Sequence, residues 1–260
     1  MAPHVRFDDL TPGAARSFEM VGPAGSVSAD VPAEVPTVLG RVEEAAAAGL
    51  WTAGFVGYEA APAFDPAFRV RPSDGGVAGR CPLAWFGFFA ERRPVPPPEP
   101  EGRYTLEDWE PTVTAAEYGD AIAAIRERIA AGDTYQVNYS LRLRSRLQGR
   151  PEAFYADLAG AQRGSWAAYV DTGSLIVASA SPELVFELDQ GTLSSRPMKG
   201  TAPRGRWAEE DRALAAALAA SAKERAENLM IVDLIRNDLG RVAVFGSVAV
   251  PALFEVERYD

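Results

Sequence analysis

The chain has 260 residues, a formal net charge of −10 and 47% apolar residues. That length builds one large domain or two small ones around a sizeable core. The acidic balance excludes the basic stripe by which a nucleic-acid binder is recognised, yet leaves room for a small anionic ligand, because local charge can oppose the total.

The single cysteine, Cys81, can form neither an internal disulfide nor a zinc cluster, which fits a reducing cytoplasm. The first residues, Met1-Ala2-Pro3-His4-Val5-Arg6, carry no apolar signal core. No run reaches the length of a membrane span, so neither membrane nor nucleic acid is an expected partner. The only histidine is His4, near the start of the chain, and histidine-based catalysis is not expected.

In chain order, Val35 to Ala48 reads as a helix with Val38, Leu39, Val42 and Ala45 on one side and Gly49 as its stop. Two apolar runs of strand character follow, Trp51 to Tyr58 and Leu83 to Ala90, with the turn-rich Pro72-Ser73-Asp74-Gly75-Gly76 between them. The run Arg93-Pro94-Val95-Pro96-Pro97-Pro98-Glu99-Pro100 predicts a stiff extended connector. It divides the chain into an N-terminal region, 1–103, and a second domain, 104–260; a long surface loop within one domain is the competing reading.

Beyond the connector, Thr114-Ala115-Ala116-Glu117 is a capping box, and Tyr118, Ile122, Ile125 and Ile129 recur at helical spacing up to Gly132. Tyr135, Val137, Tyr139, Leu141 and Leu143 then alternate with Gln136, Asn138, Ser140, Arg142 and Arg144, the pattern of a strand with one polar face. Further strands are expected at Leu175 to Ala178 and Leu184 to Leu188, and an alanine-rich helix at Glu209 to Ala220. Ser221 to Glu224 is a second capping box opening a helix that ends at Gly240. Val242 to Phe245 and Val248 to Val250 flank Gly246-Ser247 as the arms of a hairpin would.

The helix after Ser221 is apolar on nearly every side, through Leu229, Met230, Ile231, Val232, Leu234 and Ile235, and is expected to be buried. Its charges then need partners, because an unpaired buried charge is costly. Asp233 and Arg236 pair one turn apart. Glu227 has two readings, an ion pair with a nearby Lys or Arg, or a magnesium ligand, since magnesium is held by one or two carboxylates plus substrate oxygens.

Lys199 sits in Pro197-Met198-Lys199-Gly200-Thr201-Ala202-Pro203-Arg204-Gly205. The commonest fate of a loop lysine is a solvated surface. Here Gly200 permits close backbone approach to a ligand, and a lysine held as the neutral amine is a nucleophile. The order Lys-Gly-Thr and the missing upstream glycine exclude a phosphate loop. Alone, Glu183 in Ser181-Pro182-Glu183 reads as a surface turn carboxylate and Gln136 as a sheet-surface amide.

Four segments taken together carry a resemblance. They are Gly132-Asp133-Thr134-Tyr135-Gln136-Val137-Asn138, Ser181-Pro182-Glu183-Leu184, Met198-Lys199-Gly200-Thr201, and the run from Glu227 to Asp238. Their residues and order resemble the chorismate-utilising enzymes, which include anthranilate, aminodeoxychorismate, isochorismate and salicylate synthases. The match is clear from about Thr114 to Asp260 and looser earlier, where Gly54-Phe55-Val56-Gly57-Tyr58-Glu59 is the best fragment.

The resemblance implies a mixed α/β (α+β) fold, a sandwich of two mainly antiparallel sheets with helices outside and substrate in the cleft. This chain is expected to supply its first part. The resemblance also implies Mg2+ at Glu227, clamping a carboxylate of chorismate, and Glu183 as the acid that protonates a departing hydroxyl. Gln136, Gly200 and Thr201 would contact substrate. Members that add water carry a lysine base at the position of Gln136, and glutamine cannot take that proton.

A lysine at position 199 resembles the aminodeoxychorismate synthase branch; anthranilate synthases typically have a small residue there. In that branch the lysine attacks C2 of the ring and the 4-hydroxyl leaves. Ammonia from a glutamine amidotransferase partner then enters at C4 and expels the lysine. The product feeds 4-aminobenzoate and folate. No Leu-Leu-Glu-Ser run of the tryptophan-regulated anthranilate synthases is found.

Anthranilate synthesis and a non-catalytic remnant acting as a binding module are the alternatives. Family members continue past the expected hairpin with a His-Leu-x-Ser segment, a Gly-Ala-Pro-Lys segment, a substrate arginine and a second magnesium carboxylate. None of these occurs here, so a truncated product or fragment is expected, with a half-built site, little activity, and open sheet edges prone to aggregation.

Overall fold

A computed structural model describes residues 2–13, 16–70 and 81–259. The expected turn at Pro72 to Gly76 lies outside them. In chain order the elements are β1 (His4–Asp9), β2 (Arg16–Ala29), α1 (Val35–Ala47), β3 (Trp51–Val56), β4 (Ala84–Val95), β5 (Tyr104–Leu106) and β6 (Glu110–Pro111). Then come α2 (Ala115–Ala131), β7 (Leu143–Arg144), β8 (Leu147–Gly149), α3 (Pro151–Gln162), β9 (Trp166–Asp171) and β10 (Ile176–Ser181). The last are β11 (Leu184–Asp189), β12 (Thr192–Arg196), α4 (Ala208–Ala220) and α5 (Ala222–Gly240). The fold is mixed α/β with antiparallel sheets, as the resemblance implied.

Six strands form the main sheet, in the order β10-β9-β1-β2-β4-β3, and every neighbouring pair is antiparallel. The register explains its core. Val177 lies opposite Val170, Val170 opposite Val5, and Val5 opposite Met20, an apolar row across four strands. Strand alternation puts that row on one face, where Val5, Met20 and Val170 cluster with Ala53, Trp85 and Phe89. Tyr169, next to Val170, faces the other way and packs with Tyr155 and Ala159 of α3. The apolar side of α1 lays Val35 and Val38 on Ala29, Ala60 and Ala84. Gly54 in β3 is required by contact: a Cβ there would fall 1.9 Å from the Trp85 carbonyl oxygen of β4.

A buried polar knot fastens α3 to β1. The Asp8 side chain has no exposed surface, and it accepts Arg6 Nη2–H at 2.7 Å, Arg6 Nε–H at 2.9 Å and the Tyr155 hydroxyl at 2.5 Å. Burial, then the bond to Asp8, pushes the Tyr155 phenol far up, so the hydroxyl stays a donor. Removing Arg6 would strand the desolvated Asp8 charge.

The chain divides into two compact units, Met1–Glu99 with Tyr155–Asp260, and Pro100–Phe154. These bounds differ from the regions 1–103 and 104–260, because β1 and β9, far apart in sequence, are hydrogen-bonded neighbours. In the smaller unit β5 pairs with β8, β6 with β7, and α2 begins at the Thr114–Glu117 capping box and ends at Gly132 with φ of 82°.

Three expectations are overturned. The segment from Tyr135 to Arg142 is not a strand; alternation alone does not make one without a neighbour to take its backbone bonds. Pairing begins only at its end, where the Arg142 carbonyl accepts the Thr112 N–H at 2.9 Å and Leu143 and Arg144 pair with β6. The 242–250 hairpin is replaced by turns in which Val242 and Ala243 N–H donate to the Leu239 carbonyl, and Val244 and Phe245 are exposed. Finally, α5 has no buried residue, and Leu229 and Leu234 are 51% and 55% exposed. Part of the expected connector is strand: Pro94 of β4 pairs with Phe18 beyond the reach of β3, so its missing N–H breaks no ladder. Among the described residues no helix is long and apolar enough to cross a membrane.

Candidate active site

The turn between β10 and β11 is Ser181-Pro182-Glu183. The Ser181 hydroxyl accepts the Glu183 N–H at 3.2 Å and holds the turn. The Glu183 carboxylate then accepts the Met198 N–H at 2.9 Å, just past the end of β12. One carboxylate therefore ties the turn directly to the residue before Lys199.

Lys199 is half-buried and lines a cavity of about 1410 Å³ in the larger unit, together with Gly200 and Thr201. Small-molecule sites commonly occupy roughly 300–1,000 Å³, so the cavity has room for a small ligand. Gly200 has φ of 80°, and a Cβ there would fall 2.9 Å from Glu224 Oε2. Glycine thus allows both the left-handed turn and the close approach of the loop to α5.

Downstream, Asp211 of α4 fixes the far end of the loop. It accepts Arg204 Nε–H at 2.7 Å and Nη2–H at 3.2 Å, and the Gly205 N–H at 3.0 Å. The Arg204 guanidinium, then the Gly205 N–H, hold its carboxyl down to about 2.

The helix α5 presents Glu224, Asn228, Val232, Ile235 and Leu239 to the cavity, a stripe at helical spacing. Ser221 caps it by accepting the Glu224 N–H at 3.4 Å. Glu227 lies outside that stripe, 3.7 Å from Lys223 Nζ one turn back. The Asp233–Arg236 pair forms at 3.1 Å as expected, but on an exposed surface. Gln136 belongs to the smaller unit, half-buried and off any strand, with its carbonyl accepting the Thr134 hydroxyl at 3.2 Å.

The structure thus gathers Glu183, Lys199, Gly200 and Thr201 at one loop and sets Glu224 against it. Glu224 was expected only as a capping residue, and its place on the cavity side of α5, one turn before Glu227, had no local signature. Asp211 left no signal in the sequence beyond being one acid among three in the first turn of α4. Among the described residues no group of three or more His, Cys, Asp or Glu gathers as a metal site.

A mixed α/β fold carrying these motifs defines a class. The chain belongs to the chorismate binding enzyme family, which matches residues 11–260. It is 42% identical over 161 residues to aminodeoxychorismate synthase component 1 of Escherichia coli (strain K12), covering 62% of this chain and 36% of that protein. It is equally 42% identical, over 155 residues, to anthranilate synthase component 1 of Aquifex aeolicus (strain VF5), covering 60% of this chain and 31% of that one. The chain therefore spans about a third of the length of these relatives. In fold it is similar to the crystal structure of anthranilate synthase component I from Streptococcus pneumoniae TIGR4, with a TM-score of 0.69 at 20% identity over 89% of this chain and 62% of that one.

Proposed function

We propose that this chain carries the lysine half of a chorismate-aminating site that makes 4-amino-4-deoxychorismate. The observation that supports the reading best is the 2.9 Å bond from Met198 N–H to Glu183, which couples an acid to the lysine loop at the cavity rim. Equal identity to two kinds of synthase does not separate them, so the reading leans on Lys199 itself.

The Lys199 amine forms a bond to C2 of the ring, the two conjugated ring double bonds both shift, and the C4–oxygen bond breaks. Glu183, in its acid form, gives its proton to the departing hydroxyl, which leaves as water. Ammonia then bonds at C4, both double bonds shift back, and the C2–Lys199 bond breaks with its electron pair returning to the lysine nitrogen. Covalent catalysis divides one hard displacement into two easier ones. The loop at Gly200 and Thr201 would contact the substrate. Gln136 has no basic group with which to activate water.

Glu227, with Glu224 one turn before it, offers hard oxygen donors of the kind magnesium takes, and too few to enclose the ion without substrate oxygens. When bound, the ion would neutralise a substrate carboxylate. Ammonia would come from a glutamine amidotransferase partner, and the single half-buried thiol, Cys81, suits the cytoplasm.

The test is product analysis of chorismate incubated with the protein, ammonium and magnesium. 4-Amino-4-deoxychorismate is the expected product, at low turnover from a chain that carries only the lysine half, and release of anthranilate overturns the assignment. Lys199→Ala should abolish amination, and mass spectrometry should find an adduct of chorismate less water on Lys199. Glu183→Gln should slow amination by about 10²–10⁴-fold, the usual worth of a positioned acid.

A further inference from the structure

The Lys199 loop is flanked by two arginines, Arg196 and Arg204, and the segment Glu255–Tyr259 reaches both. Arg196 pairs with Glu257. Arg204 Nη1–H donates to the Tyr259 carbonyl at 2.7 Å, while its other nitrogens hold Asp211. Arg258 Nε adds a second cation to Asp211 at 3.4 Å. Between these ends, the Tyr259 hydroxyl lies 3.2 Å from the Pro182 carbonyl oxygen, 3.8 Å from Met198 Sδ, and against the Glu257 carboxylate. It therefore touches the residue before Glu183 and the residue before Lys199.

We infer that Glu255–Tyr259 is a clasp that sets the Lys199 loop against the Glu183 turn, with Tyr259 and Glu257 as positioning residues. Its catalytic consequence rests on the proposed role of Lys199; the clasp itself does not. Exposed ion pairs taken singly contribute little. Here they are linked through one short segment, so that fixing either arginine fixes the other. The Tyr259 phenol, pushed up to about 12 by burial and then by Glu257, keeps its proton, and the Glu257 carboxylate and Pro182 carbonyl compete for it. Neither Tyr259 nor Glu257 belongs to the motifs of the sequence reading.

The experiment is amide hydrogen exchange on the 260-residue chain, with the rate of Lys199 acylation by a neutral amine-reactive ester read alongside. Tyr259→Phe keeps the ring and removes the hydroxyl. Exchange at residues 183–184 and 198–201 should rise about fivefold, the factor one ordinary net hydrogen bond represents, and Lys199 acylation should change with it. Exchange in β1 and β9 should stay at the wild-type rate. Glu257→Ala should loosen the same residues, and Glu257→Gln, which still accepts the phenol proton, should restore part of the protection.

Unchanged exchange at 198–201 in both Tyr259→Phe and Glu257→Ala overturns the clasp, even if Lys199→Ala abolishes amination. Loosened exchange with amination by ammonia unaltered keeps the clasp and removes Lys199 from the chemistry. Loosened exchange with a fall in kcat larger than any rise in KM for chorismate supports both.

Discussion

Two regions of the larger unit are built on different physics. In the six-stranded sheet, Val5, Phe89 and Tyr169 are fully buried, and the register accounts for which strand residues meet. From β10 onward, among the described residues, none is buried. There α4, α5 and the Lys199 loop are defined by caps, ion pairs and backbone bonds, and the cavity lies among them. The comparison teaches that stability resides in one region and the candidate chemistry in the other. Loops placed on a rigid scaffold are where reactive groups are commonly found.

The largest effect that sharpens this contrast is expected in the sheet. Phe89→Ala should destabilise the protein by about 3–5 kcal/mol, the range for truncating a buried phenylalanine. Urea unfolding followed by tryptophan fluorescence measures it. A loss below about 1 kcal/mol would mean that the sheet core does not carry the stability assigned to it.

The sequence disclosed these two regions unequally. The helix α1 and the Thr114–Glu117 capping box were legible because their signals are local: an apolar stripe, a Thr three residues before a Glu, a Gly at the stop. The Ser221–Glu224 box is half formed, with Ser221 accepting the Glu224 N–H. The motif residues Glu183 and Lys199 were legible through resemblance, but the bond from Glu183 to Met198 N–H joins residues fifteen apart and has no local signature. β1, β2 and β9 were not foreseen, since each also pairs with a strand distant in the chain, whereas β12 was missed although it forms a tight hairpin with β11 across Gln190-Gly191. The Tyr135–Arg142 and 242–250 segments show the reverse error, strand-like alternation without a neighbouring ladder. In α5, apolar composition was mistaken for burial.

A middle-sized effect tests whether caps hold the helices that burial does not. Thr114 accepts the Glu117 N–H at 3.2 Å, and Glu117 returns a bond to the Thr114 N–H at 2.7 Å. Thr114→Ala should cost about 1 kcal/mol, read as faster amide exchange in the first turn of α2. Ser221→Ala should cost less, because its one bond is 3.4 Å long. Equal losses would show that cap geometry is not what separates the two helices.

A smaller and local effect is expected from acid. Asp211 has its carboxyl held near 2, against about 3.9 for an unfolded chain. A depressed folded value means that the unfolded state binds the proton more readily. Its contribution is therefore present above about pH 4 and lost as pH falls through 2. Amide exchange at residues 204–206, corrected for intrinsic rates, should rise over that window and become insensitive to it in Asp211→Asn. Persistent sensitivity in the variant would assign the acid response to another carboxylate.

The smallest expected effect is the most diagnostic for α5. Leu234 is 55% exposed and lies off the cavity stripe, so Leu234→Ala should change stability by no more than about 0.5 kcal/mol. Ile235, its neighbour on the stripe, lines the cavity and is half-buried, so Ile235→Ala should cost more. The pair isolates orientation from composition, because both residues are large aliphatics in the same helical turn. Should Leu234→Ala cost as much as Phe89→Ala, α5 would be buried in solution, and the division between a packed sheet and a lightly packed site would have to be withdrawn.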